Sequence, residues 1–141
     1  MVQKIFSDPR LKTIKTIGIM AFVGVLVIHN IIRPYHLAQS ETAKHWYGIL
    51  PNFFAGLGLC ITFYVYHLPG FKNLNLNRQR RLVAAFLISF LGLTLWEYLQ
   101  HLLHRPFDIE DIWMSLAGAL IGAISIIAFE KKPSPGISDN P

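Results

Sequence analysis

The stretch IWMSLAGALIGAISIIAF, residues Ile112–Phe129, decides the fold of this chain, because it contains no charged residue over 18 positions. A helix needs about 20 predominantly apolar residues to cross the hydrocarbon core of a bilayer. A buried helix of that length in a water-soluble protein usually keeps a polar face. The stretch therefore predicts a membrane-spanning helix.

Three other stretches are nearly free of charge and predict three more spanning helices: Ile14–Ile32, Tyr47–Leu68 and Leu82–Leu103. The 141-residue chain is 52% apolar and only 15% charged, whereas soluble domains are about one quarter charged. We therefore expect an all-α polytopic membrane protein. A single four-transmembrane-helix bundle fills residues 1–132, and a disordered tail rich in Pro, Gly and Ser follows over 133–141.

Positive charge is distributed unevenly along the chain. Ten of the thirteen Lys and Arg residues lie in the N-terminal segment, the loop between the second and third stretches, and the C-terminal tail. The positive-inside rule assigns that side, and with it both termini, to the cytoplasm. The same rule explains the net charge of +5, so we predict no nucleic-acid partner.

Strongly polar residues in the apolar stretches crowd toward the opposite, outer side, and Glu97 is the most informative of them. It lies about 10 Å below the end of the third helix, at 1.5 Å per residue. At that depth a charged side chain is costly unless it is paired with another charge, faces a water-filled cavity or is protonated. Helical steps place Ser89, Glu97 and Gln100 on one face. Glu97 is either an anchor between helices or a ligand-facing carboxylate.

The connection to the fourth helix adds further charged residues, among which helix capping explains Asp108 and Asp111 but not Arg105. Asp108 followed by Asp111 resembles a capping box at the start of that helix, with Ser115 one turn later. Arg105 either holds the loop by pairing with carboxylates or binds a phosphate or carboxylate of a ligand.

Small residues in the fourth helix predict a close helix contact. Gly118 and Gly122 are four residues apart, a spacing that lets helix backbones approach each other in lipid. Packing inside the bundle is the favoured interpretation, and an oligomer through the same two glycines is the alternative. The chain has neither a zinc-ligand spacing nor a second cysteine beside Cys60, so we predict no metal and no cofactor.

Taken together, these residues resemble the VanZ-like family of bacterial membrane proteins. The family pattern reads E-x-x-Q, R-x-x-D-x-x-D, an Asn four residues on, and two glycines. This chain matches the pattern over about residues 85–129, with Ser115 in place of the Asn; the matching residues are Glu97, Gln100, Arg105, Asp108, Asp111, Gly118 and Gly122. The resemblance implies a multi-pass protein of the bacterial plasma membrane, linked to low-level resistance to the glycopeptide teicoplanin, and it supplies no reaction.

Three functional hypotheses follow from the sequence. The first is a non-enzymatic envelope protein with an outward polar pocket for a lipid headgroup, a cell-wall precursor or a glycopeptide-type antibiotic; Glu97, Gln100, Arg105, Asp108, Asp111 and Ser115 would line it. The second is an intramembrane enzyme in which Glu97 acts as acid or base, although the sequence offers no activated nucleophile. The third is a structural or assembly subunit whose motif locks two helices together.

Overall fold

A computed structural model describes residues 11–35, 40–66, 77–103 and 106–130. Four helices make up almost all of these ranges: α1 Lys12–Val27, continued by a π-helical turn at Ile28–Ile32; α2 Glu41–Tyr66; α3 Arg78–Leu102; and α4 Ile109–Phe129. Each is long and apolar enough to cross a membrane. The predicted all-α, four-helix architecture is thereby confirmed. The predicted tail over 133–141 lies outside the described residues.

Helices α2, α3 and α4 begin three to six residues before the apolar stretches that predicted them. Their first turns are polar, and each is capped by a side chain that accepts a backbone N–H. Ser40 accepts from Ala43 at 3.1 Å, Asn77 from Arg80 at 2.9 Å, and Asp108 from Glu110 at 2.9 Å. The caps, and not the edges of the apolar stretches, set where these helices start.

Helix α2 is the centre of the bundle, because it packs against each of the other three helices and most extensively against α4. Glycines allow this closeness. A β-carbon on Gly118 would overlap the backbone carbonyl of Phe53, and one on Gly56 would overlap the carbonyl of Ser115. The backbones of α2 and α4 are therefore in direct contact, as expected for small residues at a helix interface in lipid.

The outer surface of the bundle is apolar. Met20 on α1, Leu95 on α3 and Ile127 on α4 are each more than half exposed. Contiguous exposed apolar surface of this kind is unfavourable in water and suits a lipid environment. The bundle is therefore that of a multi-pass membrane protein, while its predicted orientation stays a prediction.

An ion-pair cluster holds three helices together where α2 and α4 end and α3 begins. The Glu130 carboxylate accepts from Tyr64 Oη at 2.5 Å, from Arg78 Nε at 2.6 Å and from an Arg81 guanidinium nitrogen at 3.1 Å. Arg81 also lies over the Tyr64 ring, 4.1 Å from its centroid. Lys12 and Lys15 of α1 lie at this same end of the bundle, which we call the basic end.

Candidate functional site

The opposite end of the bundle carries most of the described carboxylates, and we call it the acidic end: Glu41, Glu97, Asp108, Glu110 and Asp111. Glu97 is the buried member, with 7% of its surface exposed. One carboxylate oxygen accepts the backbone N–H of Asp108 at 3.3 Å, and the other accepts Gln100 Nε2 at 3.2 Å. Glu97 thus joins the last turns of α3 to the residue that caps α4.

The start of α4 differs from the capping box predicted from the sequence. Asp108 caps the helix as expected, by accepting the N–H of Glu110. However, the backbone N–H of Asp108 bonds to Glu97 of the neighbouring helix, where a capping box would have used Asp111. The reciprocal acceptor therefore comes from α3, which leaves the Asp111 carboxylate to face other partners.

Asp111 faces α2 and the end of α1. The Asn52 side chain of α2 lies within hydrogen-bonding reach of the Asp111 carboxylate, and the charges of Glu97, Asp108 and Arg33 also act on it. The Asp111 carboxylate is therefore close enough to interact electrostatically with the carboxylates of Glu97 and Asp108. Their neighbours are one cation, Arg33 at the end of α1, and one amide, Asn52 of α2.

Arg33 compensates for a proline inside α2. Pro51 lies within this helix, and since proline has no N–H, the carbonyl of residue i−4, Tyr47, loses its helical donor. The Arg33 guanidinium donates to that carbonyl at 3.1 Å and to the carbonyl of Gly48 at 2.9 Å. In a membrane, a backbone group freed by proline needs such a substitute, so Arg33 stabilises the broken turn.

Replacing Arg33 by glutamine should lower the free energy of unfolding by about 1.5 kcal/mol, the lower end of the range for hydrogen bonds that involve a charged group, because Arg33 is exposed. The cost should shrink in a Pro51→Ala background, because alanine returns the N–H that Tyr47 lacks. Thermal unfolding of the two single variants and the double variant in detergent measures this coupling. An equal cost of Arg33→Gln in both backgrounds would show that Arg33 does not act through the Tyr47 carbonyl.

The structure brings together four of the residues that the sequence predicted for the site: Glu97, Gln100, Asp108 and Asp111. Ser115 is 4% exposed, and its backbone carbonyl lies against Gly56 of α2, one turn further along α4 than Asp111. Its role in lining an outward pocket stays a prediction. Arg105 lies outside the described residues.

Arg33 and Asn52 belong to the acidic end, although the sequence did not assign them to the site. The signal for Arg33 is indirect: a proline within an apolar stretch, at Pro51, implies a freed carbonyl that requires a donor. The sequence spacing and residue type of Arg33 do not indicate that this side chain supplies the donor. Only the packing of α1 against α2 shows that it does.

Gly118 and Gly122 lie against α2 within one chain. A β-carbon on Gly122 would approach Cys60 Cβ and the Leu57 carbonyl at 3.1 Å, and both glycines are buried. Packing inside the bundle thus accounts for their spacing. An oligomer stays a prediction, and it would need a surface that α2 does not already cover.

Among the described residues, no three His, Cys, Asp or Glu side chains are grouped so that they could hold a metal ion. The carboxylates of Glu97 and Asp108 accept hydrogen bonds from backbone and side-chain donors. No family model matches the sequence, and neither a curated protein nor a solved structure is similar to it.

Proposed function

We propose that this chain is a VanZ-like integral membrane protein of the bacterial cell envelope, and that its acidic end binds the polar group of an amphiphile. The amphiphile is a lipid headgroup, a cell-wall precursor or a glycopeptide-type antibiotic. The observation that carries the proposal is the buried Glu97 carboxylate with a second carboxylate, Asp111, close enough to interact with it.

The chemistry of the acidic end favours a ligand with N–H or ammonium donors. An ionised carboxylate has about four acceptor positions, and the hydrogen bonds to Glu97 from Asp108 and Gln100 use two of them. Carboxylates at close range repel one another, so a cation between them is stabilising. Ionisable residues at membrane depth mark functional sites by default, which supports a binding role.

Glu97→Gln tests the proposal, because the glutamine oxygen can still accept the Asp108 N–H while the charge is lost. Bacteria that express the wild-type chain should be less susceptible to a glycopeptide, and Glu97→Gln should abolish that protection at equal membrane abundance. Glu110→Gln is the matched control, since it removes an acidic charge at the same end from a side chain that is 54% exposed.

Two outcomes would contradict the proposal. One is protection by Glu97→Gln equal to that by wild type, which would show that the charge is not used. The other is an equal loss with Glu110→Gln, which would point to the general negative charge of the acidic end. If wild type itself gives no protection, the glycopeptide is excluded and the lipid and precursor ligands remain.

A structural or assembly function is the second candidate, and the hydrogen bond from Asp108 to Glu97 favours it. That bond joins α3 to the start of α4 across 11 residues. If Glu97 only holds these helices, Glu97→Leu should lower the amount of protein in the membrane while Glu97→Gln keeps it. Loss of function by Glu97→Gln at full abundance would exclude this reading.

A further inference from the structure

An apolar groove of about 400 Å³ runs between α1 and α2 and does not belong to the acidic end. Its lining comes from both helices: Thr16, Ile17, Met20, Ala21, Phe54 and Leu57. Thr16, the polar member, donates its hydroxyl to the Lys12 carbonyl of its own helix at 3.1 Å. The groove therefore presents an almost entirely apolar surface.

Close contacts between α1 and α2 lie next to the groove. The Phe54 ring packs against Gly24, where a β-carbon would come within 3.1 Å of it, and Ile61 packs against Gly18. The Phe22 ring also packs against Gly58 of α2. Ala21, the smallest side chain in the lining of the groove, leaves space beside these contacts.

The depth of the groove matches the position of a lipid acyl chain. At 1.5 Å per residue, Thr16 lies about 6 Å and Ala21 about 14 Å along α1 from Lys12. If Lys12 is at the headgroup level, the groove occupies one half of a hydrocarbon core about 30 Å thick. An acyl chain attached to a headgroup at Lys12 would pass directly along it.

Charge at the mouth of the groove selects the headgroup. Lys12 is exposed and, at four-residue steps, lies on the same face as Thr16 and Met20. Glu130, the described carboxylate of the basic end, is already bound by Tyr64 and two arginines. Among the residues that the structure describes, the basic end therefore offers Lys12 no free carboxylate, and its charge complements an anionic headgroup.

We propose that the groove between α1 and α2 binds one acyl chain of an anionic phospholipid whose headgroup phosphate contacts Lys12. The site combines a chain-shaped apolar surface with a cation at the depth where the headgroup begins. It is independent of the acidic end and of any ligand there. A Lys near a membrane surface contributes about a five-fold preference for anionic lipid.

Native mass spectrometry of the full chain, titrated with phosphatidylglycerol or phosphatidylcholine of identical acyl chains, tests the proposal. Wild type should retain phosphatidylglycerol about five-fold more tightly. Lys12→Gln should remove that preference without changing phosphatidylcholine binding. Lys44→Gln, which neutralises an exposed lysine at the acidic end, is the control and should keep the preference.

A second pair of variants tests the groove itself. Thr16→Trp fills the groove and should cause loss of binding of both lipids. Ile19→Trp places the same large side chain on an open face of α1, where Ile19 is 62% exposed, and should bind both lipids as wild type does. Equal retention of the two lipids by wild type would overturn the proposal. So would equal effects of Lys12→Gln and Lys44→Gln, or of the two tryptophan variants. Because Lys12 is exposed, Lys12→Gln should fold, and its lipid titration tests the proposal even if Thr16→Trp fails to fold.

Discussion

Gly118→Ala is expected to destabilise the bundle by about 3 kcal/mol or more, at or beyond the upper end of the usual cost of overpacking. The new β-carbon would overlap the carbonyl of Phe53 and lie 3.0 Å from the backbone nitrogen of Leu57. Backbone atoms of a helix cannot rotate away as a side chain can, so α2 and α4 must move apart. Thermal unfolding in detergent, followed by circular dichroism, measures the loss.

Two other glycines provide a graded comparison for this prediction. Gly122→Ala should cost less than Gly118→Ala, because its nearest contacts would be at 3.1 Å. Gly92→Ala has nothing within 4 Å and should be neutral or stabilising by up to about 1 kcal/mol, through helix propensity. Equal stability of the Gly118 and Gly92 variants would contradict the direct backbone contact between α2 and α4.

Glu130→Gln is expected to lower the free energy of unfolding by about 2 kcal/mol, between the values for an exposed and a buried ion pair, because Arg78 is 46% exposed while Glu130 is largely covered. Its side chain is 14% exposed, and it is the common acceptor for Tyr64, Arg78 and Arg81. Removing its charge leaves two guanidinium groups near each other without a carboxylate. Thermal or denaturant unfolding in detergent checks the expected loss.

Glu41→Gln is the matched control, since Glu41 also pairs with a cation, Lys44 at 2.6 Å, but is 89% exposed. An exposed pair contributes less than about 1 kcal/mol, so this variant should remain close to wild type. A loss as large as that of Glu130→Gln would show that burial at the basic end does not strengthen the ion pairs.

The same carboxylate should make stability depend on pH. Burial acts to raise the pKa of Glu130, but hydrogen bonds from Tyr64 and Arg78 and the charges of Arg78 and Arg81 outweigh it and hold the pKa below its ordinary value of 4.5. The stabilisation is therefore fully present above pH 4.5 and is lost as pH falls through the lowered pKa. Glu130→Gln should flatten this part of the stability profile.

Much of the acidic end could be predicted from the sequence because its residues are close along the chain. Glu97 and Gln100 share a helix face by their spacing, and Asp108 caps α4 in the position that its residue type favours. Local patterns of this kind do not depend on how the helices pack. The apolar stretches likewise predict the four helices, since the length needed to cross a bilayer is a property of each segment alone.

The sequence by itself therefore determined the number of helices, their membrane character and the polar end of α3 and α4. Only the tertiary structure decided which partners those polar groups take: Glu97 accepts from Asp108, and Arg33 replaces the donor that Pro51 lacks. It also placed Gly118 against Phe53 of the same chain and Ser115 inside the bundle. The physical reason is that helical periodicity determines the face of a residue, whereas the rotation and depth at which two helices pack determine what that face meets.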